Sequence, residues 1–137
     1  MHRFVLSFVC FWTLFSTSVS QATDVVLSPT SDVRLLSFFP NTNEANGVLL
    51  TVFTQPGNIQ RTLFEFDISL IPAGDLITSA TLTLFVHEDY GSNNPSELNM
   101  DIHAITTPWL ESEVTWNSSS TGNPWGTPGG DFSPVIY

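Results

Sequence analysis

Arg61-Thr-Leu-Phe-Glu-Phe-Asp-Ile-Ser-Leu-Ile-Pro-Ala-Gly-Asp-Leu-Ile-Thr-Ser-Ala-Thr-Leu-Thr-Leu-Phe-Val86 is the stretch whose reading decides the fold. Two extended runs flank a Pro-Ala-Gly-Asp connection. In the first, Phe64, Phe66 and Ile68 share one face, with Glu65 and Asp67 opposite. In the second, Ala80, Leu82, Leu84 and Val86 share a face, with Thr81 and Thr83 opposite. A period of two built from aromatic and β-branched residues predicts half-buried strands, and neither run carries a helical stripe. Pro72 and Gly74 mark the turn between them.

Further runs with strand character lie on both sides. Asp24–Leu27 is short and extended, and Ser28-Pro29-Thr30-Ser31 breaks it. A strand is expected over 32–39, with Val33 and Leu35 facing one way and Arg34, Leu36 and Phe38 the other. Residues 40–47 read as a loop, and 48–53 as a strand with Val48, Leu50 and Val52 on one side. Gln55-Pro56-Gly57-Asn58 reads as a hairpin connection, looser than a two-residue turn. Residues 87–99 form a polar loop, 101–106 a strand, and 113–116 a brief extended piece. Residues 117–131 hold four glycines and two prolines and read as loop, and 132–137 begins another strand. About seven short strands separated by turn residues predict an all-β fold, an antiparallel sandwich of jelly-roll type.

The N-terminus reads differently. Arg3 precedes the apolar run Phe4–Phe15, and Ser20 and Ala22 stand at the positions expected before cleavage at Thr23. Residues 1–22 therefore read as a secretory signal peptide and 23–137 as a single module. The apolar run is too short for a comfortable membrane span, so no membrane insertion is expected. Cys10, the one cysteine, lies in the signal, and the module is expected to hold together without disulfides.

Of 137 residues, three are basic, all arginine, and thirteen are acidic, for a formal net charge of −10. Removal of Arg3 leaves Arg34 and Arg61 against the same thirteen acids. A phosphate-tracking surface needs clustered cations, so nucleic acid is excluded as a partner and an anionic membrane surface is disfavoured. The acidic balance raises structural Ca²⁺ as a candidate cofactor, held by carboxylates and carbonyls of loops such as 41–47. No EF-hand, nucleophile elbow or phosphate loop is present. Glu111 and Glu113 are the nearest approach to a carboxylate pair, and they read as surface acids. His87 and His103 lack a third ligand at zinc spacing.

Trp109, Trp116 and Trp125 fall within one short window. Indole faces stack on sugar rings, and they also plug cores. Apolar or β-branched neighbours place Trp109 and Trp116 in the core. Trp125, among Asn, Pro and Gly, is a ligand-binding candidate, as is Tyr90 in the acidic loop. Asn117-Ser-Ser is a formal glycosylation sequon, relevant only to a eukaryotic host.

Several of these pieces together resemble the secreted DNRLRE domain, which is similar to the family ninety-six carbohydrate-binding modules. They are Arg61-Thr-Leu-Phe-Glu-Phe-Asp67, Ile71-Pro-Ala-Gly74, Ile77-Thr-Ser-Ala-Thr-Leu-Thr-Leu84, Trp109-Leu-Glu-Ser-Glu-Val-Thr-Trp-Asn117 and Pro128-Gly-Gly-Asp-Phe132. The resemblance implies a jelly-roll module of an extracellular or cell-surface protein that binds polysaccharide without catalysis. The alternative is a structural or adhesive module without sugar recognition. It also implies structural roles for Phe66, Asp67, Ala80, Leu82, Trp109, Glu111, Thr115, Trp116 and Asn117. The family often has a basic residue where Glu65 stands here, and an aromatic residue where Asn46 stands. It continues past the Gly-Gly-Asp-Phe segment, so a module lacking its final strands is expected. Some members are linked to acidic sugars, which this charge would repel unless Ca²⁺ bridged them.

Overall fold

A computed structural model describes residues 23–85 and 100–137. The expected signal peptide and the loop carrying Tyr90 and His87 lie outside the described residues. The described chain is all-β. Its strands are β1 (Pro29–Leu36), β2 (Phe53–Gln55), β3 (Asn58–Phe66), β4 (Ser118–Ser120) and β5 (Asn123–Pro124). They form two antiparallel sheets, one ordered β1-β3-β2 and the other the β4-β5 hairpin, and no barrel closes among the described residues. None of the described residues builds a helix long and apolar enough to cross a membrane.

Register explains the core. Val33 lies opposite Leu63 and Leu35 opposite Arg61, so these four side chains share one face of the three-stranded sheet. Val33, Leu35 and Leu63 are buried there with Val114, Trp116 and Trp125 from the C-terminal layer, and Ile59, Ile105 and Trp109 pack against them. Phe64 and Phe66 share one face of β3, as expected, and it is Leu63 on the other side that meets the core. Phe64 and Phe66 are half-buried on the opposite face, stacked at 6.3 Å between ring centroids. Ile68 is 65 % exposed. Pairing with the apolar Val33 and Leu35 carries Leu63 inward, and in a pleated strand Phe64 and Phe66 then point the other way.

Local chemistry shifts several boundaries. Strand β1 starts at Pro29, inside the expected break, because a proline at the first residue of a strand withholds no central ladder bond. At its far end the Ser37 hydroxyl accepts from Ile59 N–H at 2.7 Å, extending the ladder by a side chain. The β2–β3 hairpin is tighter than expected. Gln55 pairs with Asn58, leaving a two-residue turn of Pro56 and Gly57, with Gly57 at φ 78°. Proline followed by a positive-φ glycine is the pairing a type II turn requires. The expected strand 48–53 contracts to β2, and Val48 is almost fully exposed.

The largest departure is the run from 77 onward. Its described part, 77–85, forms no strand, and Ala80, Leu82 and Leu84 are exposed, Leu82 to 42 %. Its pattern suits a sheet, yet no described strand pairs with it. The expected strands 101–106 and 132–137 do meet, as an antiparallel pairing around an Ile105–Phe132 bridge. Thr106 N–H donates to Asp131 O, Ser133 N–H to Ala104 O and Tyr137 N–H to Ile102 O. Pro134 has no N–H to give, which interrupts the ladder. His103 Nδ1 fills that stretch, 2.8 Å from the Ser133 carbonyl and 3.0 Å from that of Val135.

Candidate functional site

The segment 107–131 folds over the core and shapes the surface. Val114 and Trp116 alternate inward from it, so Thr115 between them faces the other way. Thr115 Oγ1 accepts from the N–H groups of Asn117 and Ser118, and its carbonyl accepts from Trp125 Nε1 at 3.0 Å. Asn117 donates its side-chain amide to Asn41 Oδ1 and its N–H to Pro40 O. Glu111 Oε1 accepts from Asp32 N–H, which fastens the segment to β1. Asn43 bridges the Glu111 and Val114 carbonyls through one side-chain nitrogen, each at 2.7 Å.

A second set of contacts closes the Gly-rich end. Gly129 N–H donates to Trp116 O, and Arg61 Nη1 donates to Gly129 O at 2.8 Å. The Arg61 guanidinium also lies over the rings of Trp116 and Phe132, 5.2 and 5.0 Å from their centroids, a cation–π arrangement. Partial burial lowers the Arg61 pKa. Asp131 ties the loop from within, accepting from Gly126 N–H, Thr127 N–H and the Thr107 hydroxyl at 2.8–3.0 Å. The backbone hydrogen bond from Gly126, followed by that from Thr127, holds its carboxyl below the usual range. Asp67 is an exposed turn residue whose carboxyl is likewise lowered by the Ser69 N–H.

Over this scaffold two shallow clefts lie side by side. One, of about 350 Å³, is lined by Thr107, Pro108, Trp109, Leu110, Ser119 and Asn123, with Ser120 at its edge. The other, of about 340 Å³, is lined by Asn41, Asn43, Glu113, Thr115 and Thr121, and it too reaches Ser120. Ser112 and Ser118 add hydroxyls to the second. The two clefts share Ser120 at the end of β4, and Thr121 of the following Thr121-Gly122 turn lines the second. Gly122 sits at φ 79°, and Thr121 N–H donates to Glu113 Oε2 at 2.8 Å. Asn123 donates to Ser120 Oγ at 2.8 Å.

The structure redistributes the tryptophans. Trp125, expected as a surface ligand candidate, is 5 % exposed with its indole N–H bonded inside the core. Trp109, expected in the core, is half-buried, packs partly on the core and lines a cleft. Trp116 is buried as expected. Tyr90 lies outside the described residues. Among the sequence motif residues, Glu111, Thr115, Trp116 and Asn117 converge on the 107–131 scaffold, Phe66 stays on the sheet, and Asp67, Ala80 and Leu82 stand apart and exposed. Ser120 and Asn123 were not legible as site residues, because only the β4-β5 turn brings them beside Trp109; Glu113, expected as a surface acid, lines the adjoining cleft.

A half-buried indole beside hydroxyl and amide groups, with a carboxylate in the adjoining cleft, suits a ligand that offers an apolar ring face and a rim of hydroxyls. Cleavage of a glycosidic bond needs two carboxylates across that bond. Glu113 is the one carboxylate among the described residues lining the two clefts. Glu111 is turned to Asp32 instead. Among the described residues no three acidic, His or Cys side chains gather to hold a metal ion. In the 41–47 loop raised for Ca²⁺, Glu44 pairs with Arg34 at 2.8 Å.

Residues 32–134 match the disaggregatase related repeat domain. No curated protein and no solved structure matches the chain.

Proposed function

The chain belongs to the disaggregatase related repeat family, and from that membership and the geometry of its clefts we propose that it is a non-catalytic, carbohydrate-binding module of a secreted or cell-surface protein. The observation that carries this reading is Trp109, whose indole is half-buried beside Ser120 and Asn123. The single carboxylate of the clefts and the likeness of this stretch to the DNRLRE domain and the family ninety-six modules support a binding rather than a catalytic role. The signal-like residues 1–22 support secretion.

A structural or adhesive role is the second reading. It is favoured by the use of Trp116, Trp125, Thr115 and Asn117 in holding the fold together. Affinity electrophoresis of the full chain through gels containing soluble polysaccharides separates the two. Retardation by a polysaccharide that is lost in Trp109→Ala supports binding. Unchanged mobility on every polysaccharide, with and without Ca²⁺, leaves the structural role.

A further inference from the structure

We infer that the ligand is a neutral polysaccharide, lying across both clefts with one ring stacked on Trp109 and its neighbour's hydroxyls bonded beyond Ser120. This rests on the carbohydrate-binding reading and adds the chemical class and the line of the chain. The two clefts meet at Ser120, so a ligand seated on Trp109 continues over the β4-β5 turn toward Thr121 and Glu113. The groups it meets there are hydroxyls, amides and one carboxylate. These donate to and accept from sugar hydroxyls and bring no positive charge.

The absence of positive charge is what selects the class. Carboxylated or sulfated glycans are held by arginine or lysine. The chain has no lysine and three arginines, of which Arg3 lies in the signal-like segment. Arg34 is paired with Glu44. Arg61 is held by the Gly129 carbonyl and the rings of Trp116 and Phe132. Neither lines a cleft. A polyanion would meet Glu113 and a net charge of −10 with nothing to offset them. A polycation would be attracted by the whole surface, an interaction that salt removes.

Affinity electrophoresis of the full chain at low and high salt tests this. The gels contain a neutral glucan or mannan, a polyuronate with and without Ca²⁺, or chitosan. Expected are salt-resistant retardation on a neutral polysaccharide, roughly tenfold weaker in Trp109→Ala, and a smaller loss in Asn123→Ala. Asn123 is exposed, so its variant keeps the test valid if truncating Trp109 disturbs the fold. Thermal melts of each variant register that disturbance. Retardation by polyuronate alone, or by chitosan alone, overturns the neutral class and leaves carbohydrate binding standing. Neutral binding indifferent to both substitutions overturns the site. No retardation on any gel overturns this inference together with the reading beneath it.

Discussion

Strand β3 and the segment 77–85 have the same alternation in sequence and opposite fates. Residues 58–66 gain a neighbour on each side, β1 and β2, and bury Leu63 against Val33. Residues 77–85 pair with no described strand, and Phe85 stands 94 % exposed. An apolar row contributes only when another surface removes it from water, at about 25 cal/mol per Å². A strand likewise persists when its N–H and C=O groups find a ladder. Alternation is therefore a statement about compatibility with a sheet, and pairing is what converts it into structure.

The comparison breaks most sharply at the core that β3 helps to build. Trp116→Ala should lower unfolding free energy by about 3–5 kcal/mol, the range for deleting a buried aromatic side chain. It removes the ring beneath Arg61 and the wall against Gly129. Urea denaturation at neutral pH measures the loss. A change below about 1 kcal/mol would mean that the C-terminal layer does not rest on the β1–β3 face.

Gly129→Ala probes the same junction without deleting a large side chain. Gly129 adopts φ +93°, and a Cβ there would stand 2.7 Å from Arg61 Nη1 and from the Trp116 ring. Unfavourable backbone conformation alone costs about 1–3 kcal/mol, and the overlap adds to it. Gly57→Ala is the control, because that glycine has a positive φ and open space around it. It should destabilise less than Gly129→Ala, and equal losses would show that the close approach carries no weight.

Acid should weaken the C-terminal layer. The folded-state pKa of Asp131 lies below that of the unfolded chain, so on acidification the unfolded chain takes up the proton first. The stabilisation is complete above the ordinary carboxylate value of about 3.9 and is lost as pH falls through the folded value. Asp67 has the same sign. Asp131→Asn should flatten stability against pH in the acid range relative to the wild type. An unchanged slope would remove Asp131 from the account.

The smallest effect is expected at the other end of the comparison. Leu82→Ala should change stability by no more than about 0.5 kcal/mol, as exposed sites do. The same substitution at Leu35, fully buried at the β1–β3 junction, should cost about 2–5 kcal/mol. Matching losses at the two leucines would show that 77–85 is packed after all, and the distinction between paired and unpaired strands would fail.

The parts legible in the sequence were those fixed by local chemistry. The alternation that puts Val33 and Leu35 on one side of β1 was legible, Pro56-Gly57 announced a turn, and the Asn- and Gly-rich 40–47 run announced a loop. The facing of β3 was not legible, since Leu63 and Phe64 are both apolar and only the register with β1 chooses between them. Nor was the exchange of roles between Trp109 and Trp125. Apolar neighbours in sequence suggested burial for Trp109, while burial of Trp125 follows from the Thr115 carbonyl that receives its indole N–H.

The sequence by itself determined an all-β chain, its strong negative charge and the positions where glycine and proline must turn the backbone. These depend on single residues and their nearest neighbours, through backbone sterics, side-chain alternation and the count of charges. Only the tertiary structure decided which alternating segments became strands, which tryptophan faces a cleft and that Arg34 and Arg61 are both engaged by protein groups. Those outcomes depend on contacts between residues far apart in the chain, such as Arg61 with Gly129 and Asp32 with Glu111, whose geometry no local pattern contains.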